Sequence, residues 1–405
     1  MSQEESAVDS LWEFVPLSEY RLPVAPAQSV ASDLWKTVKR VFVRDQDPLT
    51  EPLQKERELH GLSQVQLAHL VPSLEWDHAS AALEAQLRDW VADSDAPFNV
   101  RCLITPPYVD RANMLRQWAQ RHDAQVLQAP DLEMVLQARS MVWPLADGHL
   151  WVIPDLERYF LRHSHGLGMV RDLLNHACAQ HGKKILLGCD SWSWSYLRRV
   201  CRAPIVGALT LQAFDAGRLE RLFCGMAEVD AGSRLCFLNA QNGHNIITVP
   251  DGSEGSRVEL EHLAAHCRGN VGTAVNYWRE SLRSTEQAPG PGSREDPDSD
   301  PDSGQLADST HRIWVSSLLP DVTLPSGKDE DAFLLMHALL LHGGLDLAGL
   351  MQTLPMSPNR VEALVERMHQ MGLLEERKAV WFIRSIAYAA VRDVLVSHNY
   401  LSDDF

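Results

Sequence analysis

From Asp77 onward the chain settles into a regular alternation of amphipathic and wholly apolar stretches. Ala81, Leu83, Leu87, Trp90 and Val91 recur at helical spacing, which predicts a helix of about four turns with Asp77 as its cap. A short apolar run, Val100 to Thr105, follows and has the length and composition of a buried strand. It ends at Pro106-Pro107, after which Met114, Leu115, Trp118 and Ala119 restart the helical period. Gln125-Val126-Leu127 and Leu150-Trp151-Val152-Ile153 are further short apolar runs. A helix is expected over Gly168 to Ala179, and then a strand from Lys184 to Gly188 that ends at Cys189-Asp190-Ser191. Short apolar strands alternating with amphipathic helices predict an α/β fold: a parallel sheet with helices on both faces.

The flanks follow other rules. Residues 1–70 alternate Pro-containing extended stretches with one helical pattern around Ser32–Val43, and are expected to form an acidic arm that packs on the main body or on a partner. Beyond Pro204 the alternation weakens. Phe214 to Phe223 and Glu259 to Leu282 carry helical periods, the second broken at Arg268-Gly269-Asn270, so residues 206–284 are expected to form a helical lid over a core of residues 71–205. Residues 285–311 are dense in Pro, Gly, Asp and Ser and are expected to be a disordered linker. Past it, Ile313-Trp314-Val315 and Val322-Thr323-Leu324-Pro325 have extended patterns. Helices are then predicted at Glu330–Leu341, Asp346–Thr353 and Pro358–Met371, the third opening with Ser357-Pro358. Leu373 to Glu376 and Val380 to Ile383 predict a hairpin around Arg377-Lys378, with a last helix from Ile386 to about Ser397. Three helices and a two-stranded wing describe a winged helix, assigned to residues 312–405.

Charge changes this picture locally. The chain has 405 residues, 37 Lys and Arg against 54 Asp and Glu, and a net charge of −17. Residues 1–19 carry five acids and no Lys or Arg, and residues 286–308 carry seven acids and one Arg, so most of the imbalance sits in the arm and the linker. The linker is expected to free the winged helix from the core. The recognition helix of that winged helix sets Arg360 and Arg367 against Glu362 and Glu366, and residues 329–405 hold six basic and eleven acidic residues. Phosphate neutralisation supplies most DNA affinity, and here it would rest on Arg377, Lys378 and Arg384 of the wing. A protein partner is therefore preferred to DNA.

Seven cysteines, without a CxxC pair or His at zinc spacing, predict reduced thiols and a cytoplasmic protein. The acidic N-terminus has no signal-peptide character, and no apolar run reaches the length of a membrane span. His163 and His165 stand two apart without further ligands, which predicts a solvated loop and no metal site. Gly182-Lys183-Lys184 precedes a strand and so is not a phosphate loop.

Four segments resemble P-loop ATPases of the AAA+ and related signal-transduction (STAND) class, specifically the origin-recognition type with an αβα core, a lid and a C-terminal winged helix. Leu103 to Leu115 is similar to the place where such ATPases have a glycine-rich turn, a Lys and a Ser or Thr. Phosphate binding needs those glycines for converging N–H groups, the Lys for the β and γ oxygens and the hydroxyl for Mg²⁺. Here Tyr108, Val109 and Asp110 replace the glycines, and Thr105, Arg111 and Asn113 are the only position-matched groups. An ordinary strand–helix turn is the alternative for this segment.

Leu150 to Arg158 resembles the strand whose terminal acids hold Mg²⁺ and polarise water, which implies Asp155 and Glu157. The alternative there is that Asp155 caps the next helix. Ile185 to Leu197 resembles the strand that senses the γ-phosphate, implying Asp190 or Ser191, while Trp192, Trp194 and Tyr196 either pack inside or present a partner surface. Cys267 to Trp278 resembles the lid turn whose arginine reaches the nucleotide, implying Arg268, with Arg279 as second choice.

The resemblance thus implies a bacterial, catalytically inactive AAA+-like scaffold or regulator without cofactor, acting by protein–protein contacts through the arm, Trp192, Trp194, Arg360, Arg367, Arg377 and Lys378. The alternatives are an atypical ATPase switch using ATP and Mg²⁺ at Asp155 and Glu157, and a winged-helix DNA-binding regulator.

Overall fold

The structure is a computed structural model that describes residues 11–23, 59–93, 99–137, 143, 150–179, 183–201, 207–227, 234–251, 257–285, 310–316, 322–327 and 329–405. The helix expected around Ser32–Val43 and most of the expected linker lie outside these residues. In chain order the elements begin with β1 (Phe14–Pro16), β2 (His60–Gly61), α1 (Gln64–Leu70), α2 (Asp77–Ala92), β3 (Val100–Thr105) and α3 (Arg111–Arg121). There follow β4 (Gln125–Val126), α4 (Leu132–Gln137), β5 (Leu150–Ile153), a 3-10 turn (Leu156–Tyr159), α5 (Gly168–Ala179), β6 (Lys184–Asp190), α6 (Ser191–Val200) and β7 (Ala208–Leu211). Then come α7 (Ala216–Met226), β8 (Arg234–Asn239), β9 (Asn245–Val249), α8 (Val258–His266), α9 (Val271–Ser281), β10 (Leu282–Ser284) and β11 (Thr310–Val315). The C-terminal part holds α10 (Glu330–Leu341), α11 (Leu347–Thr353), α12 (Pro358–Gln370), β12 (Leu374–Arg377), β13 (Val380–Ile383) and α13 (Tyr388–Ser397).

These elements form two compact units. The first joins residues 1–22, 75–213 and 322–405, and the second joins 23–74 and 214–321.

In the first unit a six-stranded sheet runs in the order β1-β7-β3-β6-β5-β4. The strands from β7 to β4 are parallel, and β1 closes the edge antiparallel to β7 with Phe14 opposite Leu211. The N-terminal segment is thus tied to the sheet, and Trp12 packs on Trp76 with ring centroids 5.5 Å apart. Strands β3 and β6 are central and buried on both faces, which is why their sequences are apolar runs without alternation. On one face Ile185, Leu187 and Cys189 of β6 join Cys102, Ile104, Ile153 and the buried stripe of α5 (Val170, Leu173, Leu174, Ala177). On the other face Gly188 admits Leu115 of α3. Helix α2 begins at its expected cap, one residue early: Trp76 is the N-cap and Asp77 the first helical residue. Its C-terminal carbonyls are satisfied from a distance by Lys184, whose Nζ donates to the carbonyls of Trp90, Val91 and Asp93.

The C-terminal helices do not swing free of this sheet. They belong to the same unit, and the link is α6. Two residues apart on a helix is about half a turn, so Trp194 and Leu197 enter the sheet core while Trp192 enters the core of α10, α12 and α13 beside Phe333, Met336 and Tyr388. Helix α10 is buried nearly all round, which its run Ala332 to Leu341 reflects. Helices α10 to α12 and the antiparallel β12-β13 pair appear as the spacing predicted, and Lys378 and Ala379 make the hairpin turn with φ of 53° and 62°.

The second unit departs from the expected helical lid. Helices α7, α8 and α9 are present, but a five-stranded sheet, β2-β10-β11-β8-β9, accompanies them, and β7 belongs to the other unit's sheet. In this unit β11 runs parallel to β8 and the remaining pairs are antiparallel. Its core is centred on Trp278, stacked on Phe223 at 4.6 Å and tilted to Phe237 at 5.3 Å. The broken helix at Arg268-Gly269-Asn270 is as expected: Gly269 has φ 74°, and the Asn270 side chain accepts from the Thr273 N–H.

Candidate functional site

Parallel strands end together, so the sheet order sets the C-terminal residues of β3, β5 and β6 side by side, with Thr105 opposite Asp190 in register. Ligand sites of open α/β sheets lie at such strand ends. The turn from β3 into α3 places Arg111 as the first residue of α3, behind an N-cap at Asp110 whose side chain accepts from the Asn113 N–H at 3.2 Å. The Arg111 side chain then turns inward and is only 5 % exposed. Its Nε donates to the Pro154 carbonyl at 3.2 Å, one terminal nitrogen lies 3.3 Å from Thr105 Oγ1, and the other forms a close ion pair with Glu157 and lies 3.5 Å from Asp155.

Glu157 is 7 % exposed, and its second oxygen accepts from the Asp190 N–H at 3.3 Å. Asp190 is buried too and caps α6 by accepting from the Trp192 N–H at 2.9 Å. Arg116 pairs with Asp155 from the rim at 2.8 Å. Two arginines thus face three carboxyl groups. Burial pushes the Asp190 carboxyl well above the ordinary carboxylate range, with the neighbouring Glu157 adding to it and Arg111 opposing it. Burial also raises Glu157, against the pull of Arg111. For Arg111 burial works to lower the pKa, but Glu157, Asp155 and Asp190 outweigh it and hold the guanidinium charged. Burial thus works toward the neutral form of both carboxyl groups, and the charged Arg111 guanidinium opposes it in each.

The turn itself is closed. Pro106 and Pro107 have no N–H, Tyr108 sits at φ 67°, and the Arg111 N–H is taken by the Val109 carbonyl at 2.7 Å. The Tyr108 hydroxyl donates to the Ile383 carbonyl of β13 at 2.8 Å, and its ring packs edge-on to Tyr388. From the other side, the turn after α10 approaches Glu157 so closely that a Cβ at Gly343 would stand 3.5 Å from Glu157 Cγ.

The expected site residues separate into those the fold gathers and those it does not. Thr105, Arg111, Asp155, Glu157 and Asp190 meet. Asp155 and Glu157 do so although a 3-10 turn follows Asp155: Asp155 holds the N-cap position of that turn, as the alternative expected, but its side chain makes no capping bond and faces Arg111 and Arg116 instead. Asn113 is directed to Asp110 through its backbone and contributes no group to the cluster. Arg268 lies in the second unit, at φ 53° between α8 and α9, and Arg279 there reaches the Val71 carbonyl at 3.4 Å and Gln64 at 3.4 Å. Trp192 and Trp194 are buried and present no partner surface; Trp192 Nε1 instead donates to the Tyr388 hydroxyl at 3.1 Å. Arg360, Arg367 and Arg377 are exposed but each is paired at home, with Asp331, Asp329 and Glu375.

The sequence gives no sign of two other participants. Asp403 is buried, accepts from Ser191 and from Arg392 Nε at 3.1 Å, and ties the C-terminal residues to the start of α6. His342 is buried against Phe160 and accepts the Arg162 N–H at 3.3 Å. For His342 the signal would have been a polar residue ending the apolar run Leu339 to Leu341; Asp403, next to Ser402 and Asp404, carries no such signal. All seven cysteines are free, and burial lifts Cys102 to about 12 and Cys189 well above the thiol range, so these two are inert thiols. Among the described residues no group of three or more His, Cys, Asp or Glu could hold a metal ion, and His163 accepts the His165 N–H at 3.3 Å through Nδ1. Among the same residues no helix is long and apolar enough to cross a membrane.

Fold and site together define an α/β protein with a largely parallel six-stranded sheet whose strand ends gather a buried ionic cluster. No family model and no curated protein matches the chain. Among solved structures it is similar to a Walker-type ATPase of Pyrococcus abyssi, at 12 % identity over 79 % of this chain and 96 % of that one, with a TM-score of 0.31. It is also similar to the ORC2 protein of Aeropyrum pernix, at 10 % identity over 81 % and 96 %, with a TM-score of 0.28.

Proposed function

We propose that the chain is a pseudo-ATPase: an AAA+-like core that no longer binds nucleotide, joined to a C-terminal winged helix and acting as a scaffold or regulator through protein contacts. One observation carries this reading. The Arg111 guanidinium stands among Thr105 Oγ1, the Pro154 carbonyl, Asp155 and Glu157, where strand-end carboxylates would need to receive a metal and its phosphates. The residues present do not fit MgATP. A β/γ-phosphate needs converging backbone N–H groups and a lysine, and the Pro106–Asp110 turn supplies neither. Titration calorimetry with ATP and Mg²⁺ is expected to give no binding heat. Micromolar binding that disappears in Asp155→Ala would replace this reading with that of an active switch.

The protein partner is favoured over DNA by the home pairing of Arg360, Arg367 and Arg377, each of which would have to leave a carboxylate to reach a phosphate. Salt-dependent DNA binding lost on changing Arg377 and Lys378 together would reverse that preference.

A further inference from the structure

We infer that Arg111 is a tethered cation, a positioning residue that holds the strand ends and, through them, the C-terminal helices in one permanent arrangement. The inference deepens the pseudo-ATPase reading and rests on it: a bound metal and phosphate would join β3, β5 and β6 reversibly, whereas a side chain joins them for good.

The geometry has three parts. First, Arg111 spends its guanidinium on all three strand ends, through Thr105 of β3, Pro154 and Glu157 after β5 and, by way of Glu157, the Asp190 N–H of β6. A planar fork can do this, and a point charge of lysine type cannot. Second, each of those ends touches the C-terminal part. Glu157 lies against the Gly343 turn, Asp190 caps α6 at Trp192, whose indole bonds to Tyr388, and the turn carrying Arg111 reaches Ile383 through Tyr108. Third, the cluster is sealed. Arg111, Glu157, Asp190 and Thr105 are all buried, so water is a poor substitute for the guanidinium if it is removed.

The experiment is chemical rescue in the full chain, read by hydrogen exchange. Arg111→Ala is expected to speed exchange at residues 190–193 and 342–345 by at least about tenfold, while α12, to which no hydrogen bond or ion pair runs from Arg111, Glu157 or Asp190, changes little. Guanidinium chloride at tens of millimolar is expected to restore protection in those two segments, and urea at the same concentration is not. Uniform acceleration over the first unit, or equal effects of guanidinium and urea, would overturn the inference.

Should Arg111→Ala fail to fold, Arg111→Lys keeps the charge and loses the fork, and is expected to show the same local pattern at smaller amplitude. Exchange in Arg111→Lys equal to the native protein would also overturn it. A separate arm adds MgATP to the native protein. Protection of residues 190–193 there would sink the pseudo-ATPase reading, while the guanidinium result would still decide the role of Arg111.

Discussion

The Arg111 guanidinium and the Glu157 carboxylate, 46 residues apart in sequence, form a buried ion pair at the C-terminal edge of the parallel sheet. Removing one partner of such a pair leaves an uncompensated charge and costs about 3–5 kcal/mol, whereas replacing both by apolar groups of similar volume is often nearly neutral. Glu157→Leu alone is therefore expected to lower stability by about that amount, and the Arg111→Met, Glu157→Leu double variant to recover more than half of it. Denaturant unfolding of the four proteins of the cycle measures the coupling.

Gly188 tests the same site from its backbone. A Cβ there would run into the Pro154 carbonyl oxygen, stand 2.5 Å from Leu115 Cδ1 and 3.0 Å from Arg111 Nε. Gly188→Ala is expected to cost about 3 kcal/mol by overpacking and to disturb the Arg111 bond to Pro154. A wild-type denaturation midpoint in Gly188→Ala would show that β5 and β6 are not as tightly apposed as described.

Acidification should act through two buried histidines. Burial lowers His337 to about 4 and His342 to about 3, with Arg162 lowering both further. The bonds agree. His342 Nε2 accepts the Arg162 N–H, and His337 Nε2 faces the Leu401 carbonyl while its Nδ1 faces Arg162, so each ring is neutral. Because the folded pKa values lie below the unfolded value near 6.5, the unfolded chain binds more protons from about pH 6.5 down to about 4 for His337 and about 3 for His342. The stability these rings contribute is complete above that window and is lost as pH falls through it. Glu157 and Asp190, with raised pKa values, work in the opposite sense, so the test is a difference. His337→Gln and His342→Gln, which keep a polar atom at the end of the side chain, are each expected to flatten the slope by up to about 1.4 kcal/mol per pH unit. Unchanged slopes in both would remove the histidines from the account.

Asp403 anchors the chain's last residues. It accepts from Ser191 and Arg392, and Phe405 packs on Tyr20 with centroids 4.8 Å apart. Asp403→Ala leaves Arg392 buried without its carboxylate and is expected to cost about 3 kcal/mol. Asp404→Ala, at an exposed carboxylate on the neighbouring residue, serves as the control and is expected to leave the melting temperature unchanged.

How much of this was legible in the sequence follows from what each residue answers to. Val100–Thr105, Leu150–Ile153 and Lys184–Asp190 are central parallel strands, and burial on both faces wrote an apolar run into each. Strands β8 and β9 carry short apolar runs, Leu235 to Leu238 and Ile246 to Val249, but the Gly- and Ser-containing stretches around them made the whole segment read as an insertion between helices. Of the two readings of Trp192 and Trp194, inward packing or a partner surface, the structure shows packing, but the helix sends them into two different cores, which their spacing alone did not say. Arg111 was visible only as a poor substitute for a phosphate-loop lysine. Its partners come from strands that adjoin in space and not in sequence, and no local pattern records that adjacency.

The position of α6 between two cores has a consequence for how the protein is made. The ribosome delivers residues 75–213, then all of 214–321, and only afterwards the segment 322–405 that closes the far side of α6. Until that segment emerges, Trp192 has no core to enter and the Asp190–Glu157–Arg111 cluster lacks its cover from the Gly343 turn. The first unit is consequently completed last although it begins first, and its nascent sheet waits through the synthesis of residues 214–321, the larger part of the second unit, with an apolar helix face uncovered. Contacts of such long sequence separation form slowly, so closure of this core is expected to be the slow step in folding the first unit.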